Sequence, residues 1–293
     1  MKRLPLLLLP LVSLAADPPR ATVSTPVLTA TFLLPDPAGG YYRGTRFDWS
    51  GVISSLQFQG HEFFGQWFEK HDPLLHDAIM GPVEEFKTNN AGLGYDEATT
   101  GGTFIRIGAG VVRKPQEKAY RPFHTYEIVD HGKWSVKQGA NWIEFTHQLS
   151  DGAGYAYLYT KRVTLAKSEP VMTIGHKLKN TGKKVIETEQ YNHNFFMFDN
   201  QPSGPDSVIR FSFEPRPTHD LKGLMEVRGR ELSYTRELQK GESTYTHLEG
   251  YGPTTRDYDI TLGHRKAGAQ VRITGDQPIA RLVFWSIRTT ACP

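Results

Sequence analysis

The chain has 293 residues, with 34 Lys and Arg against 31 Asp and Glu for a formal charge of +3, and it is 38% hydrophobic and 12% aromatic. That is enough apolar material for a sizeable core, which excludes a disordered chain. The charges are scattered rather than clustered, which excludes the electrostatic footprint of a nucleic-acid or membrane-surface binder.

The chain opens on Lys2 and Arg3, then runs from Leu4 to Leu14 with only Pro5, Pro10 and Ser13 interrupting the apolar residues. Ala15, Ala16, Asp17 and Pro18-Pro19 follow. A basic start, a short apolar stretch and small residues describe a secretory signal peptide. The apolar run is too short to span a bilayer as a helix. This predicts a signal peptide over 1–16 and a single domain over 17–293, in a protein exported to the periplasm or the extracellular space. An uncleaved anchor is the alternative. Cys292 is the lone cysteine, so no intramolecular disulfide forms, and burial must hold the domain together.

Asp72 and Pro73 predict a capped short helix over Leu74–Met80, ending before Gly81. Gly81-Pro82-Val83-Glu84-Glu85-Phe86 then reads as a loop. Farther along, period-two alternation dominates. A strand is expected over Thr103–Gly108. Ile143, Phe145, His147 and Leu149 form one row, and Tyr155, Tyr157 and Tyr159 form the next. Met172, Ile174, His176 and Leu178 share a face, as do Glu187, Glu189, Tyr191 and His193. Further strands are expected over Ser207–Phe213, Ser243–Leu248, Asp257–Leu262, Ala269–Thr274 and Ala280–Arg288. Asp151-Gly152 and Asn180-Thr181-Gly182 supply turns between neighbours. The reading is an all-β fold, one large antiparallel β-sandwich with minor helices in its loops.

Residues 141–196 carry a more specific pattern. Asp151-Gly152-Ala153-Gly154-Tyr155 is followed by Val163-Thr164-Leu165, then by Leu178-Lys179-Asn180-Thr181-Gly182, and then by Tyr191-Asn192-His193-Asn194-Phe195-Phe196. In order and spacing this resembles the middle of the galactose mutarotase-like (aldose 1-epimerase) superfamily, over roughly a fifth of the chain. Gly39-Gly40 with Trp49 to Leu56 resembles the early strands of that family. The resemblance implies two large curved sheets with a sugar cleft on the concave face. It also implies interconversion of aldose anomers without a cofactor, a His acting as acid on the ring oxygen and a Glu as base on the anomeric hydroxyl.

Carried onto this chain, the acid is His193. Imidazole suits the task because its ordinary pKa, about 6.5, lies near ambient pH. The competing reading is a structural histidine. The family's base comes from a strand near the C-terminus, but here the last Glu is Glu249 and no acid follows Asp276. The base is then supplied elsewhere, or the activity is lost, or the chain ends early. Glu85 and Glu249 are the stand-in catalytic carboxylates. Arg106, His124, Glu189, Tyr191 and Asp257 are the candidate sugar-binding residues, with a surface turn as the other reading of Asp257. His71 and His76, five apart on a helix, would point about 140° from one another, so no metal site is expected. No cofactor is expected. The expected partner is a small sugar or oligosaccharide, with no nucleic acid and no membrane after signal cleavage, in a monomer or dimer. A non-catalytic carbohydrate-binding domain on the same scaffold is the alternative to the isomerase.

Overall fold

The computed structural model describes residues 17–293, so the leader expected over 1–16 lies outside the described residues. The architecture is an antiparallel β-sandwich. Its longest sheet runs Met172–Asn180, Tyr155–Leu165, Trp142–Gly152 and Lys133–Gln138 in that order. The 155–165 strand alternates strictly, with Tyr155, Tyr157, Tyr159, Lys161, Val163 and Leu165 all buried. One parity therefore carries both the aromatic row and Lys161 into the interior.

A second sheet orders Met225–Arg228, Glu231–Tyr234, Ser207–Phe211, Asp259–His264 and Ala269–Thr274. A third orders Arg216–Pro217, Ser243–Glu249, Leu282–Ile287 and Thr290–Cys292. Glu189–Phe195 pairs with Gly81–Lys87, and the bridge Phe196↔Ala291 joins that pair to the third sheet. The N-terminal strands Arg20–Ser24, Leu28–Leu33 and Val52–Phe58 form a further antiparallel layer. The main core gathers Phe32 and Ile53 from this layer, Phe145 and Val163 from the long sheet, and Phe211, Leu262 and Phe284 from the other two. Burial of these faces, at roughly 1.5–3 kcal/mol per large side chain, is what sets the strand register.

Two expectations for residues 72–87 are corrected. Asp72 does cap, its Oδ1 accepting from the Leu74 N–H at 2.9 Å, but only a turn follows, and the helix over Leu74–Met80 does not form. Leu74 and Leu75 stay exposed and only Ala78, Ile79 and Met80 at the far end are buried, so the first turn has no packing partner, and a helix this short does not sustain itself. Among the described residues the only helix is the single 3₁₀ turn Thr255–Asp257. Gly81-Pro82-Val83-Glu84-Glu85-Phe86 is a strand rather than a loop, buried at each of these positions. Both of its faces are covered, so Glu84 and Glu85 enter different interiors.

Gly81 itself has φ of +70°, and a Cβ there would lie 2.5 Å from the Ile53 carbonyl oxygen. Gly81→Ala is expected to cost more than about 2 kcal/mol, because left-handed strain adds to a backbone clash that cannot relax by side-chain rotation. A lowered urea midpoint at unchanged slope is the check.

Candidate functional site

The paired strands 81–87 and 189–195 form the floor of the site. Their register sets Tyr191 opposite Glu85 and His193 opposite Val83, so Tyr191, His193 and Glu85 share one face. Glu85 is 1% exposed and receives three cations: Arg46 Nε at 3.3 Å, Arg106 Nη2 at 3.3 Å and Lys87 Nζ at 3.4 Å. Arg46 also pairs with Asp77. Both oxygens of this carboxylate are thus engaged by cations of the protein itself.

Arg106 is 2% exposed, and four of its five N–H donors are taken by groups of the protein itself, Glu85 among them. Its Nε donates to the Thr45 carbonyl at 2.7 Å, its Nη2 to the Arg46 carbonyl at 2.7 Å and its Nη1 to the Ala91 carbonyl at 3.3 Å. It ties the 42–47 segment to the sheet instead of reaching a cleft. The reason is position: the 103–106 strand points this side chain inward.

His193 is 7% exposed. It stacks on Phe195 at 4.0 Å and meets Phe47 edge-on at 5.7 Å, with Trp285 at 6.1 Å. Its Nδ1 is buried with no hydrogen-bond partner. Burial, reinforced by the Arg46 charge, pushes its pKa down to about 3, against the opposing pull of Asp77. The imidazole is therefore neutral at neutral pH, and the near-neutral acid expected from its ordinary pKa is not what this environment makes.

Around this floor lies an aromatic wall, of which Tyr191 alone is among the residues expected from the sequence. Tyr245 and Trp285 face each other across the 243–249 and 282–287 strands. Tyr245 is 47% exposed, and its hydroxyl bonds His247 Nε2 at 2.8 Å. Trp67 stacks on Phe195 at 5.1 Å and packs edge-on against Trp285 at 5.5 Å. Tyr191 completes the wall beside Lys87, whose Nζ lies 5.5 Å from its ring centre.

Glu189 shares the face of Tyr191 and His193 but is exposed at the start of the strand. The other candidates are not gathered here. Glu249 is exposed at the end of the 243–249 strand, opposite Arg216 at the sheet edge. Asp257 sits in the 3₁₀ turn and accepts from Thr254 Oγ1 at 3.0 Å, which is the turn role. His124 lines a separate cleft of about 580 Å³ together with Arg43, Arg113 and His131. His71, read above on a helix, instead stacks on Tyr41 at 3.9 Å.

Behind the floor, the other face of the 81–87 strand holds a second buried network. Glu84 Oε2 lies 2.6 Å from Lys161 Nζ, and its Oε1 lies 3.4 Å from His176 Nε2. The Tyr159 hydroxyl is 3.0 Å from Asp48 Oδ2 and 3.1 Å from His176 Nδ1. Burial pushes Asp48 up to about 7, and the neighbouring Glu84 adds to it while Lys161 opposes. Nothing in the site flagged by motif pointed to this network, yet continuing the Tyr155, Tyr157, Tyr159 parity by one step reaches Lys161.

No protein-family model matches the chain, and no curated protein matches it either. Among solved structures, the chain is similar to the crystal structure of a "Putative aldose 1-epimerase" from Escherichia coli K12. The two are 11% identical with a TM-score of 0.52, over 94% of this chain and 86% of that one. At this identity the likeness concerns the fold. The antiparallel β-sandwich expected from the sequence is thus the architecture of the described residues, with a fold like that of the putative aldose 1-epimerase.

Proposed function

We propose that the protein binds a carbohydrate on the aromatic wall of Trp285, Tyr245 and Tyr191 without reacting on it. One observation carries this reading: the two groups that anomer exchange would need are both disabled as proton carriers. His193 is held neutral by burial, with its pKa near 3. Glu85 is enclosed by Arg46, Lys87 and Arg106. An acid that is not protonated and a base that is saturated by cations cannot exchange protons with a ring oxygen and an anomeric hydroxyl at neutral pH. The exposed Tyr245 and the half-buried Trp285 and Tyr191, with hydroxyl and imidazole groups beside them, remain suited to stacking a pyranose and bonding its hydroxyls. The basic and apolar start of the chain supports export, and a reporter fused after residue 16 is expected to leave the cytoplasm.

The test joins binding to polarimetry. Titration with galactose, glucose and their oligosaccharides, followed by tryptophan fluorescence, is expected to give saturable binding, weakened about tenfold or more by Trp285→Ala. Mutarotation of fresh α-D-glucose and α-D-galactose is expected to match buffer. Acceleration that disappears in His193→Ala would instead establish the isomerase, and absence of any binding would remove the carbohydrate reading.

A further inference from the structure

Strand register gathers, on the outward face of the longest sheet, charges that are scattered along the chain. Ile143, Phe145 and His147 point into the interior, as do Tyr157 and Tyr159, so the alternate positions of the same strands face solvent. One cross-strand row sets Ser135, Thr146, Thr160 and Lys177 side by side. The next row runs from Lys133 through Gln148 and Leu158 to Lys179. On the other side of the hydroxyl row, Lys137 lies opposite Glu144, and Glu144 lies opposite Arg162.

Four exposed lysines thus border the face, two on each edge strand. The edge strands are three strand spacings apart, roughly 14 Å, and Lys177 and Lys179 are roughly 7 Å apart along theirs. Among the described residues none of the four makes an ion pair, and the acid on these rows, Glu144, is taken by Arg162 at 3.2 Å. The ammonium groups are therefore within reach of a ligand and their charge is not cancelled on the face. Without Lys2 and Arg3 the rest of the chain is close to neutral, so this excess is local. A local excess of one sign on a flat, open face attracts a partner of the opposite sign.

The groups between the lysines select among polyanions. Ser135, Thr146 and Thr160 present hydroxyls that make no hydrogen bond within the protein among the described residues, and Gln148 adds an exposed amide. Such groups both donate and accept, as sugar hydroxyls do. Single-stranded nucleic acid instead wants open aromatic faces for its bases. Here the Trp142 ring beside these rows is covered by the Arg162 guanidinium, 3.8 Å from the ring centre. A polyuronate carries a carboxylate and free hydroxyls on each sugar, whereas a heavily sulfated chain exchanges hydroxyls for charge. We infer that this sheet face binds a linear polyuronate, its carboxylates held by Lys133, Lys137, Lys177 and Lys179 and its hydroxyls lying along the Ser135–Thr146–Thr160 row. The face belongs to a different sheet from the aromatic wall and does not rest on the reading of that wall.

Polygalacturonate is the probe. Isothermal titration at low salt is expected to give a Kd on the order of 0.1 mM or tighter. Raising the salt to about 500 mM is expected to weaken binding at least about tenfold. Lys177→Gln with Lys179→Gln, and separately Lys133→Gln with Lys137→Gln, are each expected to weaken it at least about fivefold. These side chains are exposed and unpaired, so both double variants keep the fold. Fully methyl-esterified polygalacturonate, the same chain without its charge, is expected to bind at least about tenfold more weakly. Trp285→Ala is expected to bind the polymer as the parent does. The inference is overturned if polygalacturonate does not bind, the outcome in which these lysines only discourage pairing between sheet edges. It is equally overturned if the esterified polymer binds as well, or if Trp285→Ala loses binding while the lysine variants keep it. Poly-dT or a sulfated galactan binding more tightly than polygalacturonate would overturn the polyuronate as the ligand class.

Discussion

Replacing Lys161 with Met is expected to destabilise the protein by about 3–5 kcal/mol at pH 8, the largest effect of any single substitution considered. Lys161 is 1% exposed, and its ammonium is the cation closest to Glu84, with Asp48 in the same network. Removing it leaves two buried carboxyls with only the weakly basic His176 beside them, and burial pushes that imidazole down to about 4. The loss is expected to depend on pH in a defined sense. Lys161 opposes the upward push on Asp48, so without it Asp48 binds its proton still more tightly in the native state than in the unfolded chain. The penalty is therefore greatest above pH 7, where Asp48 must ionise, and shrinks as pH falls toward 5. Urea unfolding of the variant at pH 5 and pH 8 measures this directly. A double variant, Lys161→Met with Glu84→Gln, is expected to recover more than half of the loss, because it removes the charge that was stranded. A penalty independent of pH and of Glu84 would mean that Lys161 acts by packing its alkyl stem alone.

Acid is expected to unfold the protein early, with a loss on the order of 3–5 kcal/mol between pH 6.5 and 4.5. Three imidazoles drive it. Burial lowers His147 to about 4, His176 to about 4 and His193 to about 3. An unfolded histidine titrates near 6.5, so between these values the unfolded chain takes up protons that the native state refuses. Stability is then complete above pH 6.5 and is lost progressively as pH falls toward the native pKa values. Asp48 works in the opposite direction: at about 7 its native pKa exceeds the unfolded one, so it recovers some stability as pH falls. Three groups against one leave a net loss.

His147 gives the clearest structural reason for this behaviour. Its Nε2–H donates to the His131 carbonyl at 2.8 Å, and its Nδ1 accepts from the Tyr157 hydroxyl at 3.0 Å. That hydroxyl in turn accepts from the Gly108 N–H at 3.1 Å. Both ring nitrogens are thus satisfied in the neutral form only, and a second ring proton would leave the Tyr157 O–H without its acceptor. His147→Gln is expected to flatten the pH dependence of the urea midpoint by roughly one third, one group of the three. An unchanged slope in that variant would remove His147 from the account.

The strands were legible because each rests on local alternation. Ala269–Thr274 coincides with its expected bounds, and Ser207–Phe211, Ser243–Glu249 and Leu282–Ile287 differ from theirs only at the ends. The shared face of Glu189, Tyr191 and His193 follows from the same parity, and the 141–196 pattern implies a sandwich. Asp72 shows the limit of a local signal. It caps as its type suggests, but whether a helix follows depends on an apolar partner that Leu74 and Leu75 do not have.

Period, parity and the approximate extent of the strands are thus local properties, because side-chain direction in an extended chain follows from the backbone alone. The state of each polar group is set by packing. Glu84 and Glu85 are adjacent and chemically identical, yet one meets Lys161 and the other meets Arg46, Lys87 and Arg106. His193 has the residue type of an acid and the surroundings of a core residue. Charge state depends on desolvation and on partners brought from distant segments such as residues 42–48, and neither quantity is present in a linear chain.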